Sequence, residues 1–236
     1  MATMEHPVQA PDRIDVLDHG FVRLDACMAD DLSVVNSARV SFAQHSTEMT
    51  EREEGLIRFL IRERHGSPTE HNAFRFHIKC PIFVCREWQR HRIGSFNEWS
   101  ARYSQLEAEF YVPEPDDVRT QVGKPGAYTF EPVDPDLAEH TREAQLTVYR
   151  AAYATYLDLL ERGVAKEVAR NVLPVAIYTQ FYWTVNARSL MNFVSLRNSE
   201  TAQREIRRYA EAIEHFFAEK MPVTHAAFVA NDRRAP

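Results

Sequence analysis

Residues 73–80, AFRFHIKC, set Phe74, Phe76 and Ile78 against Arg75, His77 and Lys79. A period of two puts the apolar three on one face of a strand and the charged three on the other. Such a strand belongs to a sheet with one wet side and one side packed on a second layer. Helical patterns supply that layer. Asp30 or Asp31 starts a helix running through about Ala38, and Thr50 caps another whose stripe of Leu56, Ile57, Leu60 and Ile61 ends near Gly66. Pro81 suits the first turn of a helix through IFVCREWQRHR that stops at Gly94. Helices follow at about 137–162, in AKEVARNVLP up to Pro174, in ARSLMNFVSLR behind the cap Asn186, and at 201–220. IDVLDHGFVRLDACMA reads as a β-hairpin around His19 and Gly20, and the β-branched and aromatic IYTQFYWTVN as a strand. Strands among more abundant helix give an α+β class.

Residues 111–136 hold five prolines with Gly123 and Gly126, which predicts a loop or hinge within one domain. The expected organisation is a flexible segment at 1–13, a single domain at 14–228 and a flexible tail at 229–236. A net charge of −6 argues against general nucleic-acid binding, which needs a basic face. Cys27, Cys80 and Cys85 form neither a disulfide framework nor a zinc pattern, as in a reducing compartment. With no apolar run of about 18 residues and no signal-peptide core, no membrane association is expected and the predicted location is cytoplasmic.

Residues 90–103, RHRIGSFNEWSARY, concentrate three arginines, a histidine, a glutamate and an asparagine without a lysine. Arginine is the residue for planar, bidentate recognition of phosphate or carboxylate. In an acidic chain this cluster suggests a small anionic ligand. If NEWSAR is extended, Glu98, Ser100 and Arg102 share one side: an acceptor, a hydroxyl and a guanidinium suited to a polar heterocycle and its phosphate. In the helix from Ala187, Arg188 and Asn192 share a face while Arg197 lies about 180° from Arg188 at 100° per residue. The same helix is apolar over much of its remaining circumference, so both arginines need anions, from salt bridges or from ligands. His65, His71 and His77 recur every six residues, which is not a metal-ligand spacing, so no metal is expected. There is no G-x-S-x-G elbow, G-x-G-x-x-G or Walker loop, and Cys80 and Cys85 fit a packed helix start better than a nucleophile.

The fourteen residues fit, at all nine fixed positions, R-H-R-x-x-S-x-N-E-x-S-x-R-Y, and so resemble the signature of the flavin-dependent thymidylate synthases. HGSPTEH, CPIFVCREWQRHR, AKEVARNVLP and YWTVNARSLMNFVSLR look like further segments of that family in family order, and the resemblance spans roughly Ile14 to Phe228. It implies a twisted, mainly antiparallel sheet flanked by helices and a homotetramer with active sites between subunits. The implied reaction is reductive methylation of dUMP to dTMP with FAD, NADPH and methylenetetrahydrofolate. Carried over by residue, flavin contacts are expected at Ser41, His65, Ser67, Glu70, Arg90, His91, Arg92, Ile93, Glu98, Asn186, Arg188 and Asn192. Contacts to dUMP are expected at Glu87, Arg90, Glu98, Ser100, Arg102, Arg170 and Arg197. Glu87 stands where many relatives carry Gln, and a carboxylate cannot donate as an amide does. Thr69 replaces a common Phe.

The cofactor carries the hard step in that family, which leaves the protein to orient the uracil and stabilise charge on it. Arg197 and Ser100 are the residues expected nearest that task. Ser100 is assigned to orientation, because serine needs a base within hydrogen-bond reach to act as a nucleophile and reduced flavin delivers hydride directly. The alternative is a non-catalytic flavin- or nucleotide-binding protein on the same scaffold, which predicts loss of signature positions; none is lost here. An RNA-binding module is disfavoured by the acidic charge.

Overall fold

A computed structural model describes residues 13–124 and 127–236, so most of the segment expected to be flexible at 1–13 lies outside the described residues. In chain order the elements are β1 (Arg13–Val16), β2 (Gly20–Met28), α1 (Asp31–Arg39), α2 (Glu51–Arg62), β3 (Ala73–Pro81), α3 (Ile82–Trp88), β4 (Ser95–Glu98), β5 (Arg119–Lys124), β6 (Ala127–Pro132), α4 (Pro135–Glu161), α5 (Lys166–Ala169), β7 (Tyr178–Asn186), α6 (Ala187–Arg197), α7 (Arg204–Lys220) and α8 (Pro222–Ala230). Five strands form one sheet in the order β1-β2-β3-β7-β4, antiparallel at β1–β2, β2–β3 and β4–β7, as the α+β reading requires. The residues expected as one domain fall into two compact units: 13–80 with 84–98 and 180–236, and 81–83 with 99–179.

In the first unit the alternation of β3 is realised. Phe74, Phe76 and Ile78 are fully buried, Arg75 is exposed, and the ring of His77 stacks on Tyr182 at 4.8 Å on the wet side. The buried side meets α7, whose Phe216 and Phe217 pack on Phe76 and Phe74. The predicted caps form: Asp30 accepts from Ser33 N, Thr50 from Arg52 N and Asn186 from Ser189 N. A further helix, α8, was absent from the sequence reading. Its first turn is capped across space by the buried Asp31 carboxylate, which accepts from Val223 N and Thr224 N. The tail expected to be flexible makes contacts beyond α8: Arg233 Nε donates to Glu214 at 3.0 Å and Pro236 is buried.

In the second unit, Ala101, Leu106 and Ile177 form a small core with Ile82, Trp99, Phe110 and Leu173 packed on it. Tyr156 is fully buried, its hydroxyl accepting from Leu106 N, and Phe110 stacks on Tyr149 at 5.0 Å. The proline-rich segment expected to be a loop carries the β5–β6 hairpin instead; Tyr128, Thr129 and Phe130 supply the β-propensity that its prolines obscure. Two ends also differ. Helix α3 stops at Trp88 rather than near Gly94, and the extended run stops at Glu98, where Tyr103 N and Ser104 N turn back onto Ser100 O. Glu98, Ser100 and Arg102 therefore do not share one strand edge.

The hairpin turn at 17–19 leads into a crowded glycine. A Cβ on Gly20 would lie 2.6 Å from Val16 O, 2.8 Å from Lys79 O and 2.0 Å from the Tyr209 hydroxyl, which itself donates to Lys79 O. Two of the three obstacles are backbone and cannot swing away. Gly20→Ala is expected to destabilise the protein by about 1–3 kcal/mol, as overpacking of a tight core does; urea unfolding of the variant beside the parent checks it.

Candidate functional site

The site begins with an indole. Trp88, the last residue of α3, is fully buried; it stacks on Phe193 of α6 at 4.6 Å and meets Trp183 of β7 edge-on at 5.4 Å. That contact fixes where the chain leaves α3, so residues 89–93 run alongside α6. Arg197, in the last turn of α6, then donates from Nη1 to Glu87 Oε2 (3.0 Å), from Nη2 to Glu87 O (3.1 Å) and from Nε to His91 Nε2 (3.0 Å). An imidazole nitrogen that accepts from a guanidinium carries no proton. Burial, and then the Arg197 charge, hold the His91 pKa down from 6.5 to about 4, so the ring is neutral near neutral pH.

At the other end of α6, Arg188 donates from Nη1 to Glu70 (2.5 Å) and from Nε to Pro236 O (2.9 Å). It crosses directly over Gly66, where a Cβ would sit 2.5 Å from its Nε. The 180° separation expected of the two arginines thus resolves into two ion pairs, Arg188 with Glu70 of a 3-10 turn at Ser67–His71 and Arg197 with Glu87 of α3. The helix is less uniformly apolar than the sequence suggests: Leu196 is 56% exposed.

Between these ends lies a cleft of about 640 Å³. Eight of the twelve residues expected to contact flavin line it: Glu70, Arg90, His91, Arg92, Ile93, Asn186, Arg188 and Asn192. Arg64, Ser189 and Leu196 also line it and escaped the sequence reading. Arg64 adjoins HGSPTEH but takes a left-handed backbone (φ 61°) that no pattern announced. Three more of the twelve, Ser41, His65 and Ser67, line a separate cavity of about 820 Å³ walled by Phe42, Leu56 and Phe59. There Arg39, unmarked in the sequence, pairs with Glu53 at 2.6 Å. Glu98, the twelfth, lines neither space and accepts from Gln89 Nε2 at 3.2 Å.

Of the residues expected to contact dUMP, Glu87, Arg90, Glu98 and Arg197 belong to this first unit, and Ser100, Arg102 and Arg170 to the second. In the second unit Arg102 donates to the Tyr103 hydroxyl at 3.0 Å and lies 5.0 Å from that ring's centre. Ser100 Oγ accepts from Arg102 N at 3.4 Å, and Arg170 closes α5. Cys80 is fully buried, and burial pushes its thiol well up, away from thiolate chemistry. Among the described residues, no three His, Cys, Asp or Glu side chains gather as metal donors, and no helix is long and apolar enough to cross a membrane.

A cleft with five arginines (Arg64, Arg90, Arg92, Arg188 and Arg197), two asparagine amides, a neutral imidazole and the exposed apolar edge of Ile93 has the donor set that suits a planar, anionic cofactor or nucleotide. Comparison with known proteins narrows that class. Residues 23–223 match the family described as thymidylate synthase complementing protein. A flavin-dependent thymidylate synthase from Thermotoga neapolitana is 48% identical over 217 residues, covering 92% of this chain and 94% of the relative. One from Streptomyces coelicolor is 47% identical over 228 residues, covering 91% and 93%. Crystal structures of the UMP/dUMP methylase PolB from Streptomyces cacaoi superimpose with a TM-score of 0.86. The one bound with 5-Br UMP is 43% identical and covers 95% of this chain and 100% of its own; the one bound with 5-Br dUMP is 42% identical and covers 94% and 100%. The chain belongs to the thymidylate synthase complementing protein family, whose relatives here are flavin-dependent thymidylate synthases.

The depressed His91 pKa makes a stability prediction. The unfolded chain takes up this proton near 6.5 and the folded one only near 4, so the unfolded state binds more protons between those values. Stability attributable to His91 is therefore complete above pH 6.5 and is lost as pH falls toward 4. Discounted for partial solvent exposure, the loss should be about 1–2 kcal/mol. His91→Gln should flatten that part of the acid limb in urea unfolding measured at successive pH values.

Proposed function

We propose that the protein converts dUMP to dTMP by reductive methylation, with methylenetetrahydrofolate as carbon donor, FAD as resident cofactor and NADPH as reductant. One observation carries the reading: eight residues scattered from Glu70 to Asn192, each expected to contact flavin, line a single cleft. Its donor set suits FAD. Arg64, Arg90, Arg92 and Arg188 match a pyrophosphate in charge and planar geometry. Asn186 caps α6 through its carbonyl oxygen, which leaves the amide nitrogen as a donor toward the polar edge of a flavin. Bound and reduced, FAD supplies the hydride.

The protein's part is orientation and charge. Arg197 uses one hydrogen from each of its three nitrogens within the protein, so two remain for a ligand. They suit the carbonyl oxygen of a pyrimidine on which charge develops. Arg102 is assigned to the phosphate and Ser100 to orientation rather than attack; Arg90, Glu98, Arg170 and Glu87, the partner of Arg197, complete the proposed dUMP set. The PolB crystals bound with 5-Br UMP and 5-Br dUMP support a pyrimidine nucleotide on this fold.

The proposed assembly is a homotetramer in a cytoplasmic setting. Residues expected on one flavin line two separate cavities of one chain, and a site assembled from several chains accounts for the split. The rims are apolar and open, with Phe42 77% and Ile93 72% exposed.

The test is direct. The protein should purify yellow, release FAD on denaturation, and form dTMP when given dUMP, methylenetetrahydrofolate and NADPH. A colourless protein that does not take up added FAD would overturn the reading.

Gly66 gives a finer prediction. The three atoms nearest a methyl there all belong to the movable end of Arg188, so Gly66→Ala should change stability little while displacing that guanidinium from the cleft. Losing a charge-assisted contact costs about 1.5–3 kcal/mol, so FAD affinity should fall roughly ten- to a hundredfold. Flavin titration beside thermal unfolding checks both halves.

A further inference from the structure

Glu87 is among the residues expected to contact dUMP, and its surroundings are unusual for a ligand-binding carboxylate. Its side chain accepts from Arg197 Nη1 and its backbone carbonyl from Nη2 of the same guanidinium. Both partners are mostly buried, at 26% and 22% side-chain exposure. His91 accepts from the third nitrogen and is neutral, so among the acceptors that engage Arg197 in the described residues Glu87 supplies the only negative charge. An amide at this position could accept the same hydrogen bond, but it would leave the arginine's charge unopposed.

We propose that Glu87 is a positioning residue, acting on the bound nucleotide through Arg197: it holds the guanidinium in place and sets how much of its positive charge reaches the ligand. The inference rests on the reading of Arg197 as a substrate contact. Three charged or titratable groups bear on the carboxylate: Arg197 from α6, Glu205 from the first turn of α7, and His91 through the shared guanidinium. Burial pushes the Glu87 carboxyl above its ordinary range against the pull of Arg197, and Glu205 adds to the rise. As pH falls through this raised pKa the clamp keeps its geometry, because a neutral carboxyl still accepts, but it gains one net positive charge.

Two substitutions separate anchoring from charge. Glu87→Gln keeps the acceptor and removes the charge, so it should bind dUMP about three- to tenfold tighter than the parent at pH 7.5. Glu87→Ala removes the anchor and should bind about tenfold or more weakly than Glu87→Gln. The decisive measurement is the ratio of parent to Gln-variant affinity as a function of pH, by calorimetry on the flavin-loaded protein. The phosphate's own titration is common to both proteins and cancels. The ratio should approach one as pH falls through the Glu87 ionisation, and Glu205→Gln should shift that approach to lower pH. A purely structural Glu87 would give a ratio that does not move with pH. That result overturns the inference, as does weaker binding by Glu87→Gln than by the parent, which would mean that the carboxylate touches the ligand itself. A parent that takes up FAD but fails to bind dUMP overturns the functional reading and this inference together; binding with a flat ratio overturns this inference alone.

Discussion

The stack of Trp88 on Phe193, backed by Trp183, is the contact on which the site depends. It joins the end of α3, the middle of α6 and a central strand, all three rings being fully buried. Aromatic rings this size bring more burial per residue than any other side chain and also fix relative orientation. Everything polar in the cleft is spaced outward from that point: Glu87 and His91 flank the indole in sequence, and Arg188 and Arg197 flank the phenyl ring. The geometry of an arginine-rich site, whose side chains are long and rotamer-rich, is thus set by residues that touch no ligand. Interiors packed to crystal density transmit such constraints with little slack.

Arginines held near an apolar core also need compensation. Each end of α6 solves this differently. Arg188 is half-exposed and paired with an equally exposed Glu70, an arrangement worth little by itself and easily exchanged for an anionic ligand. Arg197 is mostly buried, and three acceptors engage it. Breaking such a pair from one side leaves an uncompensated charge, which is far costlier. One end of the helix is therefore ready to surrender its partner and the other to keep it. That asymmetry suits a cofactor whose phosphates displace a counter-ion at Arg188, and a substrate that uses only the hydrogens Arg197 has left over.

What could be read from the sequence follows from how local the physics is. The β3 alternation, the caps at Asp30, Thr50 and Asn186 and the hairpin at Gly20 depend on neighbours a few residues away, and all formed where expected. Helix α8 did not show, because its N-terminal cap is Asp31, nearly two hundred residues distant. The β5–β6 hairpin was hidden by its prolines. The extended reading of NEWSAR holds as far as Glu98 and no further, because pairing with β7 stops at Glu98–Phe181 and the chain turns at Ser100, although β7 itself continues to Tyr178. For the site, the signature marked the arginines, but the identity of their counter-ions was not legible. Glu70 with Arg188 and Glu87 with Arg197 are pairings across more than a hundred residues, which only the fold can make.

The same logic bears on the proposed assembly. A helix can present side chains at both ends and on opposite sides, but one chain can cover only part of what they face. Here the cleft along α6 is lined by Arg64, Glu70 and the 90–93 loop, while Ser41, His65 and Ser67 open into another space behind an exposed Phe42. Gly66 sits at the hinge of this division, between His65 in one cavity and Ser67 in the same one, with Arg188 of the other cleft lying across its back. A residue with a side chain at this point would separate the two spaces further; glycine lets the arginine lie flat on the loop. The close approach at Gly66 links the loop that lines one cavity to the guanidinium that lines the other.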